Sequence, residues 1–202
     1  MRKAFDHYTT ASITTLLTQE LLHYVSISGV ILEPCAGEGF MAQSLTPFAK
    51  TLYTNDIQQK FQTDFSCDAR DPDAVCYHCQ PHPDWIVTNP PYKDAFAILQ
   101  ASFASAKRGV AFLLRQTFDE PTKARKIWLQ NHADCLRFRI PISPRPNWRE
   151  GEFNLKTGRA FSNDSTTNTW FVWRKDWSWK RLQLSSPFGY IVDWKETTQL
   201  SF

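Results

Sequence analysis

Apolar and polar positions alternate along this chain in two distinct rhythms. Ile13, Leu16, Leu17, Leu21, Leu22 and Val25 recur at helical spacing, which predicts a helix over 10–25 with Thr10 as its N-cap. Short unbroken apolar runs mark strands: VILEP (30–34), TLYTND (51–56), WIVT (85–88), GVAFLLRQ (109–116) and CLRFRI (135–140). Continuous runs of this kind belong to strands covered on both faces. Between them lie helical stretches at 40–49, 94–108 and 121–132, the last opening on Pro121 at a position where a missing N–H costs nothing. Residues 57–83 are irregular, with a short third strand expected near Phe65–Cys67. Residues 141–166 read as a long loop, and 167–177 returns as a β-rich segment. Strands alternating with helices predict an α/β fold, a mostly parallel sheet covered by helices on both faces, in one domain over 1–202.

Composition narrows the classes. At 202 residues and 42% hydrophobic the chain can bury one sizeable core. No run of eighteen apolar residues occurs, and no apolar segment follows the basic N-terminal residues, so neither a membrane span nor a secretory signal is expected. Five cysteines are an odd number and too sparse for a disulfide framework, which predicts a reducing, cytoplasmic setting. Cys76-Tyr77-His78-Cys79 with His82 nearby lacks the spacing of a standard zinc finger and is expected to be a plain loop, with no metal bound. Net charge is a mild +3, but residues 1–99 carry 6 basic against 11 acidic residues and residues 100–160 carry 12 against 5. The front half suits a cationic small molecule and the middle a polyanion.

Two stretches carry candidate chemistry. In ILEPCAGEGF (31–40) Gly37 and Gly39 stand between a strand and a helix, where backbone can approach a ligand closely. The third glycine of the dinucleotide fingerprint is absent, and Glu33 and Glu38 disfavour a diphosphate, so a cationic or neutral ligand is expected. Asp56, at the end of the next strand, stands where a ribose-binding acid belongs. In Asn89-Pro90-Pro91-Tyr92 the prolines stop the strand and supply no N–H. The 89–91 carbonyls are therefore expected to point outward. The Asn89 side-chain oxygen and the Pro90 carbonyl can take both hydrogens of one amino group while Tyr92 lies against the ring that bears it. Such a device grips an aromatic amine, for example a nucleobase.

Glu33-Pro34, Ala36-Gly37, Gly39 and, fifty positions on, Asn89-Pro90-Pro91-Tyr92 together resemble the S-adenosylmethionine-dependent exocyclic-amino DNA methyltransferases. The likeness is greatest to the compact adenine-N6 enzymes of bacteria and phages. It covers roughly residues 5–140 and implies a Rossmann-like class I methyltransferase fold. It further implies S-adenosyl-L-methionine held by Glu33, Pro34, Ala36, Gly37, Gly39, Phe40, Asp56, Ile57 and Asn89. An acid after the third strand would meet the adenine edge: Asp68 with Ala69, with Asp64 and Asp71 as rivals. The family's N-terminal aromatic-Thr-Pro motif matches Tyr8-Thr9, with Thr10 where the proline stands. Catalysis is implied for Asn89, Pro90, Pro91 and Tyr92 acting on a base rotated out of its stack, with no covalent enzyme intermediate.

A separate recognition domain has no room in this length, so contact with DNA is expected from a basic loop over 141–166 and its approach: Arg137, Arg139, Arg145, Trp148, Arg149, Lys156 and Arg159. Cytosine N4 and RNA amino groups are the alternative targets, and a non-catalytic nucleic-acid-binding module is the alternative of another class. A monomer or homodimer is expected.

Overall fold

A computed structural model of the chain describes residues 11–59, 61–120, 122–143, 145–146 and 167–186. Helix α1 (Ala11–Tyr24) precedes strand β1 (Gly29–Glu33), and α2 (Phe40–Leu45) leads to β2 (Ala49–Thr54). Strand β3 (Trp85–Thr88), α3 (Ala95–Ser105) and β4 (Gly109–Arg115) follow, then α4 (Lys126–His132), β5 (Leu136–Pro141) and β6 (Asn168–Arg174). The six strands form one sheet in the order β2-β1-β3-β4-β6-β5. Strands β1 to β4 are mutually parallel, while β6 runs antiparallel between β4 and β5.

The uninterrupted apolar strands are explained by the two faces they serve. Successive side chains point to opposite sides. Leu32, Ile86, Val110, Phe112, Phe171 and Trp173 therefore pack in the core under α3 and α4. Their chain neighbours Ile31, Trp85, Val87, Ala111, Leu113, Trp170 and Val172 pack under α1 and α2. Trp85, Trp170 and Trp173 are among the largest fully buried side chains, so these tryptophans fill the core. Trp170 also donates its indole N–H to the carbonyl of Leu17 at 2.9 Å, tying α1 to the sheet.

Three elements differ most from the sequence reading, while the second strand shifts to Ala49–Thr54 and the third helix ends at Ser105. The second helix stops at Leu45 and tightens into a 3-10 turn over Thr46–Phe48, because Pro47 has no N–H to continue the ladder. The fourth begins at Lys126, after a turn closed by Arg125 N–H to the Thr122 carbonyl, and Pro121 lies outside the described residues. The expected third strand is reduced to one parallel bridge between Asn55 and Phe65. Among the described residues no helix is long and apolar enough to cross a membrane.

From β1 the chain crosses to β2 on one side and then returns to β3 on the other. The carboxyl ends of β1 and β3 therefore flank a crevice at the point where the strand order reverses, the ligand position in open α/β sheets.

Trp170→Phe should keep the ring in the core but lose its bond to Leu17. The expected cost is about 1 kcal/mol of unfolding free energy, read from urea denaturation. An unchanged midpoint would show that the bond does not hold α1.

Candidate active site

A cleft of about 540 Å³ opens in that crevice. Its walls come from the turn after β1, the loops after β2 and Phe65, and the segment after β3. The turn is shaped by two glycines in the left-handed region, Gly37 at φ 56° and Gly39 at φ 81°. They serve different ends. A Cβ on Gly37 would meet nothing within 4 Å, so its backbone lies open to the cleft. A Cβ on Gly39 would collide with the ring of Phe61 at 2.8 Å, and Gly39 does not line the cleft. Gly39 is thus needed for packing at the start of α2.

Asn55 and Asp56 hold this turn in place. The fully buried Asn55 donates its side-chain N–H groups to the carbonyls of Pro34 at 2.9 Å and Cys67 at 3.1 Å. Its side-chain oxygen accepts the Cys67 amide at 2.9 Å. Asp56 accepts the Gly37 amide at 2.8 Å on one oxygen and the Gln58 amide at 2.7 Å on the other. Its carboxylate still has lone pairs for a ligand hydroxyl.

Of the three acids that competed for the neighbouring position, Asp68 is the one at the cleft. Asp64 accepts the amide and hydroxyl of Thr54, and Asp71 accepts the amide of Asp73, so both serve local turns. Asp68 is gripped by Arg70, whose guanidinium holds its carboxyl down at about 2. Arg70 also reaches Asp94 at 3.4 Å, linking this loop to the one after Tyr92. Tyr77 steadies the Asp68–Ala69 wall from behind, donating its hydroxyl to the Ala69 carbonyl at 2.7 Å.

Glu33 ends β1 almost completely buried, and one of its carboxylate oxygens has no partner among the described residues. Burial pushes its carboxyl well above the ordinary 4.5; the Ala42 amide opposes this and Asp56 adds to it. A buried acid of this kind at a cleft wall calls for a cationic or hydrogen-donating ligand. Cys35 also lines the cleft, but burial raises its thiol far above the ordinary cysteine value, so it is no thiolate nucleophile.

Asn89, Pro90, Pro91 and Tyr92 form the opposite wall. The Pro91 carbonyl accepts the Asp94 amide at 2.9 Å, which corrects the expectation that all three carbonyls point outward. The turn consumes one of them. Tyr92 is fixed by two partners. Its hydroxyl accepts a hydrogen bond from the Asn168 side-chain amide at 2.6 Å, and the Arg115 guanidinium lies 4.7 Å from its ring centre. Arg115 and Asn168 are cross-strand partners on β4 and β6.

The cleft therefore gathers Glu33, Pro34, Ala36, Gly37, Phe40, Asp56, Ile57, Asp68, Ala69 and Asn89 to Tyr92 in one place. The basic residues are divided. Arg137 and Arg139 stand on β5, not in a loop, and each has a partner of its own. Arg137 lies 3.9 Å over the Trp177 ring, and Arg139 pairs with Asp119 at 3.0 Å. Arg145 is exposed, while Tyr8, Thr9, Trp148, Arg149, Lys156 and Arg159 lie outside the described residues. Cys76 and Cys79 are buried, and among the described residues no group of three or more His, Cys, Asp or Glu could hold a metal ion.

Sequence reasoning missed Asn55, Arg70, Arg115 and Asn168. Arg115 had a positional clue, being the polar residue that ends a covered apolar strand. Asn55 and Asn168 had none.

No family model matches the sequence, and no curated protein matches it. Solved structures do. A putative hemolysin from Lactococcus lactis superposes with a TM-score of 0.57 at 11% identity, covering 85% of this chain and 90% of that one. A putative class I S-adenosylmethionine-dependent methyltransferase from Listeria monocytogenes gives 0.53 at 11%, covering 92% and 64%. TrmK of M. capricolum, solved with S-adenosyl-homocysteine, gives 0.52 at 10%, covering 80% and 69%. The fold is thus the Rossmann-like class I methyltransferase fold.

Two outcomes test the site's construction. A carboxyl raised in the folded state contributes stability that is present below its ordinary value and lost as pH rises through the folded value. The melting temperature of Glu33→Gln should therefore climb relative to wild type as pH goes from about 5 to about 8; parallel curves would show that Glu33 is not buried as described. Asn55→Ala leaves buried groups of Pro34 and Cys67 unpaired and should cost at least about 2 kcal/mol in chemical denaturation.

Proposed function

We propose that this chain is an S-adenosyl-L-methionine-dependent methyltransferase acting on the exocyclic amino group of a base in DNA, the N6 of adenine in particular. The observation that carries the reading is a single cleft whose one wall is the glycine turn with Glu33, Asp56 and Asp68, and whose other wall is Asn89 to Tyr92. The class I methyltransferase fold and the resemblance of both motifs to the amino-methyltransferases support it.

The residues present fit the cofactor. The open backbone at Gly37 and the unpartnered, buried Glu33 oxygen suit an aminoacyl group bearing an ammonium. Asp56 can accept from ribose hydroxyls and Asp68 from an adenine amino group. When bound, S-adenosyl-L-methionine supplies an electrophilic methyl. The protein's part is to present the acceptor. The Asn89 side-chain oxygen and the Pro90 carbonyl take the two amino hydrogens, which draws the nitrogen lone pair out of conjugation with the base. Tyr92, immobilised by Asn168 and Arg115, offers a ring for the base to lie against. Holding both reactants replaces a bimolecular encounter, and fixed acceptors stabilise positive charge developing on nitrogen. The half-buried Cys35, whose thiol desolvation pushes up, agrees with direct transfer.

Sequencing the DNA and RNA of a host expressing this chain, with a method that detects modified bases, tests the reading. N6-methyladenine in DNA at a fixed motif is expected. N4-methylcytosine would move the target, and modification confined to RNA would move the polymer. No modified base of either kind would overturn the proposal. Asn89→Ala should cut transfer on the order of 10²–10³-fold while S-adenosylhomocysteine affinity by calorimetry falls far less, the other cofactor contacts being intact. Full activity in that variant would remove Asn89 from the grip on the amino group.

A further inference from the structure

Beside the cleft, behind Tyr92, lies a smaller cavity of about 210 Å³ lined by Tyr92, Ala95, Leu114, Arg115, Thr117, Phe118 and Arg125. Tyr92 and Arg115 belong to both, so the two spaces share a wall. Among the described residues, two guanidinium groups and no carboxylate line this cavity. Each is propped on an aromatic ring: Arg115 lies 4.7 Å from the centre of Tyr92, and Arg125 lies 4.7 Å from the centre of Phe118. Arg125 is further oriented by donating to the Glu120 main-chain carbonyl at 3.2 Å and the Thr122 hydroxyl at 3.3 Å. These bonds use two of its five N–H donors.

Neither arginine makes an ion pair among the described residues. Of the two acids on the turn between them, Asp119 pairs with Arg139 at 3.0 Å and also feels the Arg125 charge, and neither Asp119 nor Glu120 lines the cavity. Two oriented guanidiniums over an apolar floor, with Thr117 also in the lining, make a site for an anion with several acceptor oxygens. A hydrated metal cation or a neutral apolar ligand would find no complement there. We infer that this cavity binds a backbone phosphate of the nucleic acid, the one flanking the nucleotide whose base enters the cleft. The inference rests on the function proposed above for its choice of a phosphodiester, and on the arginine geometry for its choice of an anion.

The site would give nucleic-acid binding a contact independent of the basic segment beyond residue 141. It would also define the path of the strand, since the phosphate lies on the far side of Tyr92 from the glycine turn. Arg115 then has two tasks: holding the Tyr92 ring and neutralising the phosphate. Arg125, which touches only the smaller cavity, has one.

Arg125→Gln is accordingly the clean variant. Binding of a short fluorescein-labelled DNA duplex is measured by anisotropy across a salt series, with S-adenosylhomocysteine affinity as the check on folding. Arg125→Gln should weaken DNA binding about tenfold and reduce the slope of log K against log salt by about 0.9, the value of one lost phosphate contact. S-adenosylhomocysteine binding should not change. Arg125→Lys should recover most of the slope, which guards against a folding defect in the glutamine variant. Arg108→Gln, the same charge change at the opposite end of β4, should leave the slope as it was. Wild-type affinity and slope in Arg125→Gln would overturn the inference, as would an equal loss in Arg108→Gln or a wild-type protein that does not bind the duplex. Methyl transfer is scored separately. The reduced slope in Arg125→Gln with no transfer by wild type retains the phosphate site and removes the reaction; transfer with an unaltered slope does the reverse.

Discussion

The buried side chain of Asn55 is the joint on which the cleft depends. With one amide it joins the turn after β1 to the loop after Phe65, through Pro34 and Cys67, while its main chain bonds Glu33 and Ala36. Loops that carry glycine and proline gain nothing from a helix or sheet ladder and lose much entropy when ordered. A fully satisfied polar residue in a low-dielectric interior supplies directional bonds that hold them in one arrangement. Asp56, the next residue, extends the same joint to Gly37. The wall that carries the glycine turn is therefore a cross-braced unit, and Asp56 is partly occupied with architecture.

The opposite wall is braced by different means. Asn89 to Tyr92 follow a strand that two prolines end, and the Pro91 carbonyl closes a turn with Asp94. Tyr92 is then gripped through its hydroxyl and its ring by Asn168 and Arg115, which face each other across β6 and β4. Inserting an antiparallel strand between β4 and β5 has a functional consequence. It brings the start of β6 to the same edge of the sheet as the ends of the parallel strands. The charge division along the chain acquires a spatial meaning here. Glu33, Glu38, Asp56 and Asp68 gather on one side of the cleft, while Arg115 lies by Tyr92 with Arg125 in the adjoining cavity.

Much of this was legible along the chain. WIVT predicted β3 at its observed bounds, because an apolar run closed by prolines admits few readings. The glycine turn and Asn89 to Tyr92, which line the cleft, stood out because left-handed backbone and N–H-free residues leave local marks. Helix ends were less legible: Pro47 and the turn before Lys126 shortened two of them. The basic residues were the weakest part. Arg137 and Arg139 looked like phosphate contacts from their charge, yet the fold stacks one on Trp177 and pairs the other with Asp119.

Local chemistry settled the alternation of strands and helices, the two glycine conformations, and the side-chain types at the two motifs. These depend on dihedral preference and periodicity, which neighbours in the chain decide between themselves. The order of strands, the burial that raises Glu33, the bracing by Asn55, and the meeting of Tyr92 with Asn168, 76 positions away, were decided only in the folded molecule. Contacts across such separations follow from how the sheet closes its edges and covers its faces, and no short stretch of sequence carries that information.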